Sequence, residues 1–374
     1  MKTKVSVIKC NNYEPQAVLA SLRRAIDLLG GISSFIKPQS RVLVKPNLLM
    51  AKAPEFAITT HPEIVRAVIK LLKEINCKIY VGDGPSVWGY QIENVGQVYE
   101  QTGIKKVCSE ENVELVEFNK RRWREKKFPL TIWLDECDYL VSIPKFKTHD
   151  LTTLTGAVKN LFGLVSGTYK TELHKKYFDT GDFSGVLVDI YEQAKPALTV
   201  VDGILAIEGD GPATSGKIRK TDLLLAGSDC VAIDSILALI MGIKPQDILT
   251  SKYAAERGLG ISDVNSIEIL GEKLESITGK PFLLPSTSSL KSKIPKPVLK
   301  LAKKMIKYLP CVERDHCIAC AACIDACPTK AISMKGERII FDYSKCLSCF
   351  CCMEACPSAA IKVKKSLLAK IIGL

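Results

Sequence analysis

The chain has 374 residues, 47% hydrophobic and 25% charged, with 52 Lys and Arg against 40 Asp and Glu for a formal charge of +12. That length exceeds one small core and predicts two domains, one of them large, and the composition excludes a disordered chain. No apolar run reaches the length of a membrane span, and the start, MKTKVSVIKC, lacks the apolar stretch of a signal peptide, so the expected compartment is the cytoplasm.

In chain order, residues 1–285 alternate short β-rich runs with helical patterns. "KVSVI" (4–8), "RVLVK" (41–45), "KIYVG" (78–82), "YLVSI" (139–143), "LTVVDG" (198–203) and "DLLLAG" (222–227) read as buried strands. Between the second and third, "HPEIVRAVIKLLKEI" (61–75) sets Ile64, Val68, Leu71, Leu72 and Ile75 on one helical face, with Pro62 suited to the first turn. This alternation predicts an α/β domain with a mostly parallel sheet and helices on both faces. "LPSTSSLKSKIPKPV" (284–298) breaks the pattern, so 286–310 is expected to be a linker followed by a basic amphipathic helix. In that helix Val298, Leu301, Met305 and Leu309 share one face and lysines the other. Docking on the body is its first reading and a peripheral membrane contact its second.

Residues 311–374 carry the chemistry that is easiest to name. Of fifteen cysteines, Cys10, Cys77, Cys108, Cys137, Cys230 and Cys311 show no ligand spacing. The rest form two runs, Cys317-x2-Cys320-x2-Cys323-x3-Cys327-Pro328 and Cys346-x2-Cys349-x2-Cys352-x3-Cys356-Pro357, with Cys351 as a spare. This is the spacing of bacterial two-cluster ferredoxins, in which the fourth cysteine of each run ligates the other cluster. The expectation is two 4Fe-4S clusters, one on Cys317, Cys320, Cys323 and Cys356, the other on Cys346, Cys349, Cys352 and Cys327. The clusters would sit in a small α+β ferredoxin-like domain. Structural zinc would need two separate Cys-x2-Cys pairs instead of two interlocked runs closed by Cys-Pro. Two oxidised clusters would bring the charge to roughly +8. With no interleaved aromatic and basic pattern for nucleic acid, that excess suits an acidic redox partner or a small anionic ligand. A homodimer is compatible with the sequence.

In the larger domain, polar stretches interrupt apolar runs at predicted strand ends, where parallel sheets bind ligands. They are "VKPNLL" (44–49), "TTHPE" (59–63), "GDGPS" (82–86), "IPKFKTHDLTTLTGAVKNLFG" (143–163) and "VDGILAIEGDGPATSGK" (201–217). Read as loops, they gather Lys45, Asn47, His61, Asp83, Lys145, Lys147, His149, Lys159, Asn160, Asp202 and Glu208, with His174 nearby. "GPATSGK" (211–217) has the spacing of a phosphate loop, but Ile218 replaces the magnesium-binding hydroxyl and a strand follows where a helix is required. "GDGPSVWG" (82–89) lacks the dinucleotide fingerprint and reads as a turn. The four histidines show no short spacing for a mononuclear metal site.

Taken together, "VKPNLL", "TTHPEIVRAVI", "VGDGPS", "IPKFKTHDLTTLTGAVKNLFG" with "ELHKKY" (172–177), and "VDGILAIEGDGP" resemble the domain-of-unknown-function 362 family over most of residues 1–245. Members often carry a C-terminal two-cluster ferredoxin module. The resemblance implies a fold and a site location more than a reaction. A looser similarity, over 61–86, is to the lactate racemase family with its nickel-pincer cofactor, and is an analogy only.

The function expected from these residues is an iron-sulfur oxidoreductase. Lys45, Lys145, Lys147 and Lys159 would hold a carboxylate or phosphate, and His149 or His174 would supply the proton that accompanies reduction. In the leading assignment Lys145, Lys147, His149 and His174 act in catalysis, and Lys45, Asn47, His61, Asp83, Lys159, Asn160, Asp202 and Glu208 bind substrate. The rivals are a non-catalytic electron carrier or adaptor, and a racemase-like or isomerase-like site with structural clusters.

Overall fold

The computed structural model describes residues 2–85, 95–124, 127–166, 169–177, 179–288 and 308–366. A large mixed sheet organises the first domain. Its strands are β1 (Thr3–Lys9), β2 (Arg41–Pro46), β3 (Lys78–Val81) and β4 (Glu114–Leu115); after a separate hairpin of β5 (Arg121–Arg124) and β6 (Phe128–Thr131) come β7 (Tyr139–Ile143), β8 (Lys145–His149) and β9 (Thr153–Thr155), then β10 (Leu198–Gly209), β11 (Gly216–Gly227) and β12 (Ile267–Gly271). The order across the sheet is β12-β1-β11-β10-β7-β2-β3-β4, with β8 pairing β10 and β9 at one end. Pairings from β10 through β7, β2 and β3 to β4 are parallel, while β11 runs antiparallel to both β10 and β1.

The alternation along each strand divides the core in two. Leu43, Leu223 and Leu225 face one cluster, and Val42, Val44, Leu224 and Ala226 face the other. Helices cover both faces, as expected for an α/β domain. Helix Pro62–Glu74 buries Ile64, Val68, Leu71 and Leu72, with Pro62 in its first turn and the His61 ring accepting from Glu63 N at the N-cap.

Three local expectations need correction. The stretch 143–163 is not a loop: it forms β8, β9 and helix Ala157–Asn160, and every residue of β8 is buried. Its Lys-x-Lys-x-His spacing has the period of two that a strand requires, and sheet pairing satisfies the backbone that a buried loop could not. β10 likewise runs through the polar stretch to Gly209, and β11 begins at Gly216, so Lys217 lies in a strand opposite Glu208. Most of the amphipathic segment 298–309 lies outside the described residues, but Tyr308 and Leu309 belong to β13 (Tyr308–Val312), paired with β16 (Ile361–Lys365).

The C-terminal domain is a repeat offset by 29 residues. β14 (Ile332–Lys335) pairs with β15 (Arg338–Phe341), and helices Ala322–Asp325 and Cys351–Glu354 occupy equivalent places. Left-handed backbone recurs in register at Ala319 and Ser348, Ala321 and Phe350, and Lys330 and Ala359. Such conformations are uncommon for residues other than glycine, and their repetition shows two loops built to one plan.

Candidate functional site: a basic pocket closed by the cysteine-rich domain

Two small apolar cavities lie in the C-terminal domain. Cys317, Cys320, Cys323 and Cys356 line one, with Ile318, Ile339 and Ile361. Cys327, Cys346, Cys349 and Cys352 line the other, with Leu347, Phe350 and Phe341. Each takes three cysteines from one run and the fourth from the other. Ala331 N donates to Cys327 Sγ at 3.1 Å and Ala360 N to Cys356 Sγ at 3.2 Å, the backbone support that a thiolate ligand needs. These quartets fit iron-sulfur clusters in chemistry and arrangement. Among the described residues no group of three His, Cys, Asp or Glu forms a single-ion site. The spare Cys351 is buried against Cys349, Ala326 and Ala355.

The larger domain presents a pocket to this module. Lys45, Asn47, Asp83, Lys147, Thr155, Lys159, Asn160, Lys170 and His174 line it, together with Glu354 from the cysteine-rich domain, around a cavity of about 50 Å³. That is room for more than one water molecule. Lys45, at the end of β2, lies 2.8 Å from Asp83 Oδ1, and both are buried. Asp83 is fixed by Leu48 N on Oδ2 (2.8 Å) and Gly84 N on Oδ1 (2.9 Å), while Tyr99 Oη holds its backbone. Asn160 Oδ1 accepts from Lys45 Nζ and Asn47 Nδ2, and its Nδ2 donates to Ser142 Oγ at 2.9 Å. Lys147 Nζ donates to Asn47 Oδ1 at 2.8 Å and Ile58 O at 2.7 Å.

Local sequence explains this placement. Helix Ala157–Asn160 is capped by Asp234, whose carboxylate accepts from Ala157 N and Val158 N, and it delivers Lys159 and Asn160 to the pocket. Gly163 has no room for a side chain, since a Cβ would lie 2.2 Å from Asp83 Oδ1 and 2.6 Å from Lys45 Nζ.

His149 ends β8. Its Nδ1 accepts from Leu151 N at 3.0 Å and Thr152 N at 3.4 Å, which leaves the proton of the neutral ring on Nε2, 3.1 Å from Glu354 Oε1. Burial, with repulsion from Lys159, takes His149 down to about 4. Burial opposes ionisation of Glu354, but His149 and Lys159 outweigh it and hold the carboxyl at about 2. At neutral pH the contact therefore joins a neutral imidazole to a carboxylate. His174, between Phe162 and Phe183, is also lowered by burial to about 4. Burial lowers Lys45, Lys159 and Lys147, the last most strongly because Lys159 repels it, and brings Lys170 to about 8.

Four sequence candidates, Lys145, Asp202, His61 and Glu208, lie elsewhere. Lys145 Nζ pairs with Asp202 Oδ2 at 2.9 Å and donates to Tyr13 Oη at 2.8 Å, while Tyr13 Oη donates to Asp202 Oδ1. His61 donates its backbone N–H to the same Asp202 and stacks on Tyr13 at 3.7 Å. Asp202 thus draws Lys145 and His61 into a neighbouring cluster instead of the pocket. Glu208 pairs with Arg219 at 2.9 Å on the β10–β11 arm and is not a pocket residue. Conversely, Lys170, Thr155 and Glu354 line the pocket without having been sequence candidates. Lys170 stands four residues before His174, the one-turn spacing that marks a shared helix face. Glu354 carries no such signal, because only docking of the two domains brings it there.

Two family matches bear on these halves. Residues 42–238 match the domain of unknown function DUF362, and residues 316–360 match a 4Fe-4S dicluster domain. The chain belongs to the DUF362 family. A curated relative, the thylakoid-associated protein sll1697 of Synechocystis sp., is 34% identical over 268 residues, which span 70% of this chain and 81% of that protein. This DUF362 member therefore carries a ferredoxin-type 4Fe-4S domain. Among solved structures, the lactate racemase apoprotein from Thermoanaerobacterium thermosaccharolyticum overlaps 61% of the chain and 54% of its own, at 14% identity and a TM-score of 0.35. The chain thus spans about half of that protein, and a likeness of this size says nothing about the site. No helix among the described residues is long and apolar enough to cross a membrane.

Proposed function

We propose that this DUF362 protein is an iron-sulfur oxidoreductase that passes electrons through two 4Fe-4S clusters to a small anionic substrate in the basic pocket. The observation that carries the reading is the contact of His149 with Glu354, since Glu354 sits between the cluster cysteines Cys352 and Cys356 and also lines the pocket. When bound, the clusters supply single low-potential electrons. We assign them to the quartets Cys317, Cys320, Cys323, Cys356 and Cys327, Cys346, Cys349, Cys352. We take the second as the one coupled to the pocket, because Cys349 packs on Cys351 and is within electrostatic reach of Glu354, and Cys351 is within electrostatic reach of Lys159.

In this reading Lys147, Lys159 and Lys170 bind and orient the anion, Asn47 and Asn160 hold the lysines in place, and His149 and His174 manage protons beside it. The paired Lys145 and Asp202 buttress β8. The first quartet faces outward: Cys317 borders an open groove with Arg314, Ile318, Lys335 and Arg338, whose charge suits an acidic electron-donor protein. A non-catalytic carrier has no use for a buried cluster of lysines and histidines lining a pocket against its ferredoxin domain, which favours the enzyme reading. The name of the cyanobacterial relative raises a membrane-surface location beside the cytoplasmic one. The lysine-faced sequence 298–307 is the part suited to it, and flotation with anionic vesicles tests that point.

The function is tested by reducing the anaerobic holoprotein with dithionite, removing the excess, and following reoxidation by a panel of small carboxylates and oxyanions. At least one should reoxidise the wild type at least tenfold faster than Lys147→Met; equal rates across the panel would favour the carrier.

A further inference from the structure

The pocket walls do not balance in charge. Four lysines, Lys45, Lys147, Lys159 and Lys170, face two carboxylates, Asp83 and Glu354. Asp83 is committed to Lys45 at 2.8 Å. Among the described residues no carboxylate stands within ion-pair distance of Lys147, Lys159 or Lys170, and Lys147 is hydrogen-bonded only to the neutral oxygens of Asn47 and Ile58. With all four lysines in the ammonium form, and with Glu354 offsetting one of them, two positive charges remain unmatched around the cavity; burial opposes that form, and a bound anion restores it. Burying unpaired ammonium groups is costly, and such a site gains most from a ligand that supplies the missing charge.

A second observation points the same way. Thr155, 3% exposed, lines the cavity, and its hydroxyl has no hydrogen-bond partner among the described residues. The amides of Asn47 and Asn160 are already engaged with the lysines and with each other, so they are fixed walls. Ammonium and hydroxyl groups are donors to oxygen, and the cavity measures only about 50 Å³.

We propose that the pocket is a binding site for a compact oxyanion of charge −2, of the dicarboxylate or phosphate type, held by Lys147 and Lys159 with Thr155 donating to one of its oxygens. This deepens the proposed function by naming the charge and size of the ligand the pocket takes, and rests on that reading for the consequence of binding, but not for binding itself. A monoanion leaves one positive charge unmatched. A larger organic cofactor does not fit while the cysteine-rich domain is docked.

The test is calorimetric titration of the oxidised holoprotein, with no electron donor, at matched ionic strength. The probes are oxalate and orthophosphate against acetate. At least one dianion should bind at least tenfold more tightly than acetate. Lys147→Met, with iron content unchanged, should weaken that dianion tenfold or more and shrink its advantage over acetate, whereas exposed Lys217→Met should do neither. Should Lys147→Met fail to fold, Thr155→Val provides the same reading, with a several-fold loss expected. Equal binding of acetate and both dianions, no binding of either dianion, or unaltered affinity in the folded pocket variant would overturn the proposal. Because no electrons are supplied, dianion binding combined with failure of every acceptor in the carboxylate and oxyanion panel to reoxidise the reduced protein faster than it does Lys147→Met would sink the oxidoreductase reading alone. Reoxidation by a monoanion without dianion preference would sink this proposal alone.

Discussion

His149 Nε2, at the end of β8, lies 3.1 Å from the carboxylate of Glu354 on the short helix that also carries Cys352. One side chain of the cysteine-rich domain thereby closes a pocket whose other walls belong to the DUF362 domain. A second contact across the same boundary, from Thr214 Oγ1 to Cys356 O at 2.7 Å, fixes the other end of that segment.

Glu354→Gln keeps the shape of the side chain and removes its charge. Lys159 and His149 then lose the carboxylate that faces them. Denaturant unfolding should show a loss of roughly 1–3 kcal/mol, the scale of stranding a buried polar group, with iron content intact. A variant as stable as wild type would show that the contact contributes nothing to docking.

Acid should loosen the protein through its buried histidines. His149 and His174 are lowered to about 4, whereas an unfolded histidine titrates near 6.5. Their contribution is present above about pH 6.5 and is lost as pH falls toward 4, because the unfolded chain binds the extra protons. Stability measured across this window should decline with acid, and less steeply in His174→Phe. An identical slope in that variant would refute the assignment.

Gly163→Ala places a Cβ 2.2 Å from Asp83 Oδ1, and Asp83 cannot retreat because Leu48 N and Gly84 N hold it. Overpacking of this kind costs about 1–3 kcal/mol. Anion binding should fall with stability, as Lys45 and Asp83 are displaced together; unchanged titrations would show a pocket softer than described.

Cys351→Ser should retain about eight iron and eight sulfide per anaerobically purified chain, since Cys351 lines neither cysteine cavity. Loss of a whole cluster would make Cys351 a ligand and displace one of the assigned quartet.

Much of the fold is legible in the sequence because its strands alternate between two cores, as Val42 and Leu43 do, and because both cysteine runs are local in sequence. The polar strand β8 was not, since Lys145, Lys147 and His149 look like a solvated loop until the sheet and Glu354 bury them. The division of the candidate site was equally hidden. Whether Lys145 faces the pocket or Asp202 depends on Tyr13, more than a hundred residues away in sequence. Lys170 could be inferred from its helical spacing to His174, whereas Glu354 depends on a domain contact with no local signature.

The central claim is that the pocket lies electrically beside a cluster, and potentiometric titration monitored by electron paramagnetic resonance tests it most directly. Lys159→Glu places negative charge in the pocket whatever the protonation of the lysine. One of the two midpoint potentials should fall by tens of millivolts, as expected for a unit charge about 10 Å away at an effective dielectric near 20, and the other should move much less. If both potentials of a fully loaded Lys159→Glu protein matched wild type, no cluster would adjoin the pocket, and the account would be contradicted.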